Sequence, residues 1–156
     1  MSWWLKKCLY RLAHLIMGIV IKRINVPEPE LLTGAGSIKK LPAQLKQSNV
    51  RRVLIVTDKG ISGLGLTAGL IGALENMDIV VTLFDSVQAN PTIQNIEDGL
   101  KIYSRFRCEG IIAFGGGSPI DCAKLIGARV SNFERSSVQM RGGFKIPKKL
   151  PPLYAV

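Results

Sequence analysis

The stretch "GIIAFGGGSPIDCAK", residues 110–124, decides the fold. A short apolar run is followed at once by three glycines, and then by a serine and a proline that open a segment of helical spacing. A buried strand, a tight turn and a helix in immediate succession form one half of a parallel strand-helix-strand unit. Ser118 suits an N-cap, Pro119 the first helical position and Asp121 the acid of a capping box, so these three are accounted for by a helix start that needs no ligand. Capping leaves Gly115, Gly116 and Gly117 over. Glycines at the carboxyl end of a strand clear side chains away from backbone N–H groups beside the positive end of a helix, which suits a phosphate or pyrophosphate. The spacing and the lysine position match neither G-x-G-x-x-G nor a P-loop.

The flanking sequence repeats the alternation. "VLIVT" (53–57) and "IVVTLF" (79–84) are continuous apolar runs, and "LYAV" (153–156) begins like a fourth strand. Runs of this kind indicate a sheet buried on both faces, as in parallel α/β folds. Helix-compatible segments lie at about 64–76, 92–107 and 119–130, the second introduced by "NPT" and carrying Ile93, Ile96, Leu100 and Tyr103 on one face. The expected fold class is α/β: a Rossmann-like parallel sheet flanked by helices and wound by right-handed crossovers. "TGAGS" (33–37) reads as the start of a further helix capped by Ser37. The segment 131–152, with its glycines, prolines and cations, reads as a long basic loop.

At the ends of the first two strands stand further polar residues. Asp58 closes the first strand in "LIVTDKG", where a carboxylate in a sheet of this kind can accept from ribose hydroxyls; an ordinary loop aspartate is the simpler account of that residue taken alone. "DSVQANPT" places Asp85 and Asn90 at the same edge, where the Asn-Pro step also serves turn formation and helix capping.

The chain has 156 residues and a formal net charge of +10. Its cations cluster near the start, ahead of the first strand and near the end, without the aromatic interleaving or motif of a nucleic-acid binder, so no nucleic-acid partner is expected. Cys8, Cys108 and Cys122 are odd in number and form no C-x-x-C pair, which favours a reducing, cytoplasmic setting over a disulfide frame or a zinc site. The opening segment carries no acid before Glu28. Read as a helix, it puts Lys7, Arg11, His14, Gly18 and Lys22 on one stripe and Leu5, Leu9, Leu12, Ile16 and Val20 on another, and Pro27 and Pro29 end it. The apolar run between Arg11 and Lys22 is too short to span a membrane, and a signal-peptide cleavage site is lacking. A helix docked on protein and a helix lying on a membrane surface through residues 3–23 both fit. The domain division is a leading amphipathic helix over 1–27 and an α/β domain over 28–156.

Taken together, "VTDKG", "FDSVQANPT" and "AFGGGSPIDCAK", in this order and at these intervals, resemble the iron-containing, or group III, alcohol dehydrogenases, whose fold glycerol dehydrogenase shares. The resemblance covers about residues 28–156 and is most specific at the glycine-serine-aspartate motif. It implies a dinucleotide-binding domain with cofactor contacts at Asp58, Asn90, Gly115, Gly116, Gly117, Ser118 and Asp121. NAD is implied in preference to NADP, because a carboxylate matching Asp58 holds the adenosine ribose and repels a 2′-phosphate. The resemblance further implies that catalysis and the divalent metal, iron or zinc, belong to a helical domain that follows a strand like "LPPLYAV". The expectation is a fragment without that domain, with no catalytic or metal-binding residue of its own and no turnover alone. A full-length member would move hydride between a small alcohol or aldehyde and the nicotinamide, and a homo-oligomer is compatible with it. Two other readings share the glycine turn or do without it: a non-enzymatic nucleotide-binding or interaction module, and a purely structural α/β domain.

Overall fold

The computed structural model describes residues 3–23, 30–140 and 148–156. The chain divides into two units, Met1–Leu31 and Leu32–Val156. The first contains a helix, α1 (Trp3–Arg23). The prolines at 27 and 29, the boundary between 27 and 28, and Arg141 and Lys145 of the basic loop lie outside the described residues.

In the second unit a 3-10 turn (Ser37–Lys40) leads into α2 (Leu41–Gln47), and then strands and helices alternate: β1 (Arg52–Val56), α3 (Lys59–Gly63), α4 (Ala68–Glu75), β2 (Val80–Phe84), α5 (Ile93–Arg105), β3 (Gly110–Ala113), α6 (Gly117–Ser131) and β4 (Leu153–Ala155). All strand pairings are parallel, in the order β2-β1-β3-β4. Leu54 of β1 stands beside Thr82 of β2 and Ile111 of β3. The expected α/β class is therefore the observed one, a four-stranded parallel sheet flanked by helices.

Side-chain alternation along the strands divides the core into two layers. Leu54, Val56, Phe84, Ile111 and Ala113 pack with Ile96 and Tyr103 of α5 and with Cys122, Ala123 and Ile126 of α6. Val53, Ile55 and Ile112 point the other way, against Leu41 and Leu45 of α2 and Leu70 and Leu74 of α4. The helix α4 joins β1 to β2 on one face, whereas α5 and α6 carry the chain back across the sheet on the other. Reversing the direction of winding moves the crossover helix to the opposite face, as a constant crossover hand requires.

Several expectations are corrected. The 79–84 run is not buried on both faces: β2 is the sheet's edge, with Val80 60% and Leu83 40% exposed. Ser37 caps nothing, since the 3-10 turn begins on it after Gly36 in the left-handed region (φ 74). The 64–76 helix starts only at Ala68, because Gly65 adopts φ 68 and first closes a turn. The long basic loop expected over 131–152 holds for its described part beyond Ser131, the last residue of α6, and that part is tied down. Arg129 of α6 grips Glu97 of α5 at 2.9 and 3.1 Å and donates to the backbone carbonyls of Phe133 and Arg135, while Ser137 Oγ donates to Glu97 at 2.9 Å. The hydrogen bond from Arg129 is the main reason the Glu97 carboxyl titrates below its ordinary value, against the opposing effect of burial.

Gly99 sets the spacing of α5 on α6. A Cβ there would stand 2.3 Å from Ile126 Cδ1 and 3.3 Å from Phe84 Cε1. Gly99→Val is expected to lower unfolding stability by about 1–3 kcal/mol through overpacking. Adding Ile126→Val, which removes the crowded methyl, should recover part of that loss in urea titrations.

Candidate functional site

The strand order creates one distinctive place on the sheet. From β1 the chain passes to β2 on one side and returns to β3 on the other, so the carboxyl ends of β1 and β3 are neighbours where the winding reverses. Crevices at such switch points are where open α/β sheets receive ligands. Thr57 and Asp58 leave β1 there, and Phe114, Gly115 and Gly116 leave β3.

Asp58 begins a helix that the sequence reading did not contain. Its Oδ1 accepts from the Ile61 backbone N–H at 3.0 Å and so caps α3. Gly60 and Gly63 lie within this helix and Gly65 just beyond it, and the detectable signal for its start was an aspartate placed three residues before Ile61. One turn on, Ser62 Oγ donates to Asp85 Oδ2 at 2.8 Å, which fastens α3 to the residue that follows β2.

The three glycines divide into two kinds. Gly115 has φ 129, a region that side chains strain to occupy, and a Cβ on it would lie 2.5 Å from Ile61 Cδ1 and 3.2 Å from Pro119 Cγ. Its N–H donates to Val156 O at 2.9 Å, extending the β3–β4 ladder. Packing alone therefore explains Gly115. At Gly116 and Gly117 a Cβ would meet nothing within 4 Å, and Gly116 has ordinary extended dihedrals. No packing demand explains these two.

The expected helix start is also corrected. The N-cap of α6 is Gly116, not Ser118, and no side chain caps it. Ser118 and Pro119 fall inside the first turn. The proline's missing N–H still lies among the donors that have no intrahelical acceptor, so the helix can begin two residues before the expected cap. The capping box with Asp121 is not formed; Asp121 is exposed and pairs with Lys124 at 3.6 Å. As a result the N–H groups of Gly117 and Ser118 head a 15-residue helix with no side chain folded over them.

Asn90 adopts φ 58 in the exposed connection between β2 and α5. That connection returns to β1, where Val87 N–H donates to Thr57 O at 3.3 Å. The cap of α5 is Thr92, in a reciprocal box with Asn95, and not the Asn-Pro step. Asn90 thus shares the carboxyl edge with Asp58 and the glycine turn, and no hydrogen bond among the described residues joins it to them. Cys122, behind the turn, is fully buried; desolvation pushes its thiol up to about 11 and leaves it a neutral packing group. Among the described residues no group of three or more His, Cys, Asp or Glu is placed to hold a metal ion.

The fold and the open glycine turn at its switch point define a class, the doubly wound α/β domains. Residues 28–156 match the iron-containing alcohol dehydrogenase family, and the chain belongs to it. It is 38% identical over 125 residues to alcohol dehydrogenase 4 of Schizosaccharomyces pombe, covering 80% of this chain and 29% of that protein. Identity to the 1,3-propanediol dehydrogenase of Klebsiella pneumoniae is 37% over 108 residues, 68% of this chain and 28% of the relative. The crystal structure of a 1,3-propanediol oxidoreductase superposes with a TM-score of 0.75 at 34% identity, covering 78% of this chain and 32% of that one. A sulfoacetaldehyde reductase from Bifidobacterium kashiwanohense, solved in complex with NAD+, superposes at 0.70 with 25% identity over 78% of this chain and 32% of its own. The chain therefore spans less than a third of the length of these relatives, and its fold is that of their N-terminal α/β domain.

The two kinds of glycine should respond differently to a methyl group. Gly115→Ala is expected to lower the melting temperature, at a cost of about 1–3 kcal/mol for the strained backbone and the displaced Ile61. Gly116→Ala should leave it within about 0.5 kcal/mol of the parent. Equal thermal shifts for the two variants would contradict this division.

Proposed function

We propose that the crevice at the carboxyl ends of β1 and β3 binds a dinucleotide, NAD in preference to NADP, and that the chain is the cofactor-binding portion of a metal-dependent alcohol dehydrogenase. The observation that carries this reading is the uncovered start of α6: an N-terminal turn headed by two glycines that packing does not require, at the switch point of the sheet. Backbone N–H groups and the positive helix end stabilise a pyrophosphate without any lysine or arginine. Gly116, Gly117 and Ser118 take that role, and Gly115 provides for it indirectly by holding Ile61 and α3 against the turn.

Asp58 supplies the adenosine end. One carboxylate oxygen is used in capping α3, and the other is assigned to the ribose hydroxyls. A negative group there opposes the 2′-phosphate of NADP. Asn90 reaches the same crevice from the end of β2, and Asp121 marks the outer margin of the site along α6. The NAD+ bound to the sulfoacetaldehyde reductase of the same fold supports the choice of ligand.

For the whole protein the reaction is hydride transfer between an alcohol carbon and the nicotinamide, in which a divalent metal supplies Lewis-acid polarisation of the oxygen. The described residues offer no fitting ligand set for that metal, so no step through it is derived for this chain. What its own residues do is bind and orient the dinucleotide.

Isothermal titration of the 156-residue chain with NAD+ and NADP+ tests the reading. NAD+ should bind more tightly, and Gly116→Val, whose side chain fills the space of the pyrophosphate, should abolish binding while the melting temperature is kept. Asp58→Asn keeps an N-cap of nearly equal strength but removes the charge. It should therefore narrow the NAD+ preference by about tenfold, or ~1.4 kcal/mol, without loss of stability. Absence of NAD+ binding to the parent chain, or indifference of binding to Gly116→Val, would falsify the assignment.

A further inference from the structure

We propose that α1 is an interfacial helix that holds the protein against an anionic lipid surface, an activity separate from the dinucleotide site. Three observations converge on it. First, α1 lies outside the family match, which begins at residue 28, and it belongs to a unit of its own, Met1–Leu31. The family match does not account for it.

Second, six of its large apolar side chains are exposed. Trp3 is 69%, Trp4 71%, Tyr10 70% and Leu15 65% exposed, and Leu9 and Leu12 are more than half exposed. Trp4, Cys8, Leu12 and Leu15 recur at intervals of four, four and three, which places them on one face, while Lys7, Arg11, His14 and Gly18 recur at the same kind of spacing on another. Trp4 belongs to the apolar face, and Trp3, four residues before Lys7, stands on the flank of the cationic stripe; an apolar face beside a narrow cationic stripe with aromatic rings at their border is the pattern of a helix lying in the headgroup region. The aromatic rings belong at the level where the acyl chains meet water, and Lys7 Nζ already stands 4.0 Å above the Trp3 ring.

Third, the charge selects the occupant. The helix sequence carries five Lys and Arg and no Asp or Glu. A protein partner of ordinary composition would leave several of those cations unpaired, whereas an anionic bilayer offers negative charge along the whole length of the helix, to Lys7 and Arg11 on the stripe and to the cations beside it. No helix among the described residues is long and apolar enough to cross a membrane. In α1 the cations at 6, 7 and 11 interrupt the apolar run, so the helix lies along the surface.

The chain carries its own probe, because its only two tryptophans, Trp3 and Trp4, are both in α1. The test is to mix the 156-residue chain with vesicles of phosphatidylcholine alone and with vesicles containing about a third phosphatidylglycerol, following tryptophan emission and flotation. The expected result is a blue shift and at least about tenfold more flotation with the anionic vesicles, reversed by about 0.5 M salt. The triple variant K6E/K7E/R11E should lose the interaction, as should L12E/L15E, with the melting temperature of the α/β domain and NAD+ affinity unchanged in both. No flotation with anionic vesicles overturns the proposal. Binding that ignores lipid charge and salt also overturns it, as does a blue shift that follows protein concentration without lipid, which would make a second copy of the chain the occupant. None of these outcomes depends on whether the dinucleotide binds.

Discussion

The absence of a side chain at Gly115 is the constraint on which the rest of the site depends. At φ 129 the backbone leaves β3 and doubles into α6, and the space that a Cβ would fill is occupied by Ile61 Cδ1. This contact draws α3, and with it the end of β1, against the turn that follows β3. The same residue donates to Val156 O and so holds the last rung of β3 on β4. One glycine thus joins three strand ends, and its two successors are free to remain uncovered.

Helix α3 shows how little local stability such a site requires. Five residues, two of them glycine, cannot sustain a helix in isolation. It persists because it is pinned at separate points: the Asp58 cap at its start, the Ser62–Asp85 hydrogen bond toward β2, and Ile61 on Gly115 toward β3. The capping carboxylate therefore has two tasks. Its position is fixed by the helix that it begins, and that fixed position is what makes its second oxygen useful to a ligand.

The strands were legible in the sequence because β3, and β1 after Arg52, are buried on both faces and must be apolar there. The same rule misled at β2, whose apolar residues do not prevent it from being an edge, since strand order depends on contacts between distant segments. At α6 the capping preferences of serine and proline pointed two residues too far along. A glycine N-cap needs no side chain, and a proline in the first turn loses no hydrogen bond, so local preference had little hold on the boundary. The glycine turn could be picked out as a candidate because capping and turn formation do not call for three glycines in a row, and Asp58 because it ends a strand of the same sheet. That Gly115 packs while Gly116 and Gly117 do not could not be read from three identical letters; it follows from where Ile61 arrives. The anchoring of 131–137 by Glu97 and Arg129 was hidden for the same reason, as its partners are 32 residues apart.

Two of the described arginines act far from the crevice. Arg51 and Arg52 stand at the opposite end of the sheet, where Glu109 accepts from both their backbone N–H groups and the Arg52 guanidinium donates to the Arg107 carbonyl. Those hydrogen bonds, the Arg51 N–H first, hold the Glu109 carboxyl below its ordinary range. This cluster serves the start of β1, and α1 carries five further positive charges in a separate unit. The proposed pyrophosphate site relies instead on backbone dipoles at short range. Dipoles aligned by a helix lose strength within about one turn, whereas a stripe of mobile charges facing a charged surface acts over the Debye length, about 10 Å at 0.1 M salt. A dinucleotide held by amides should therefore be far less sensitive to salt than a helix held on anionic lipid. The two proposed activities use one chain's positive potential in physically different ways, and they can be varied independently.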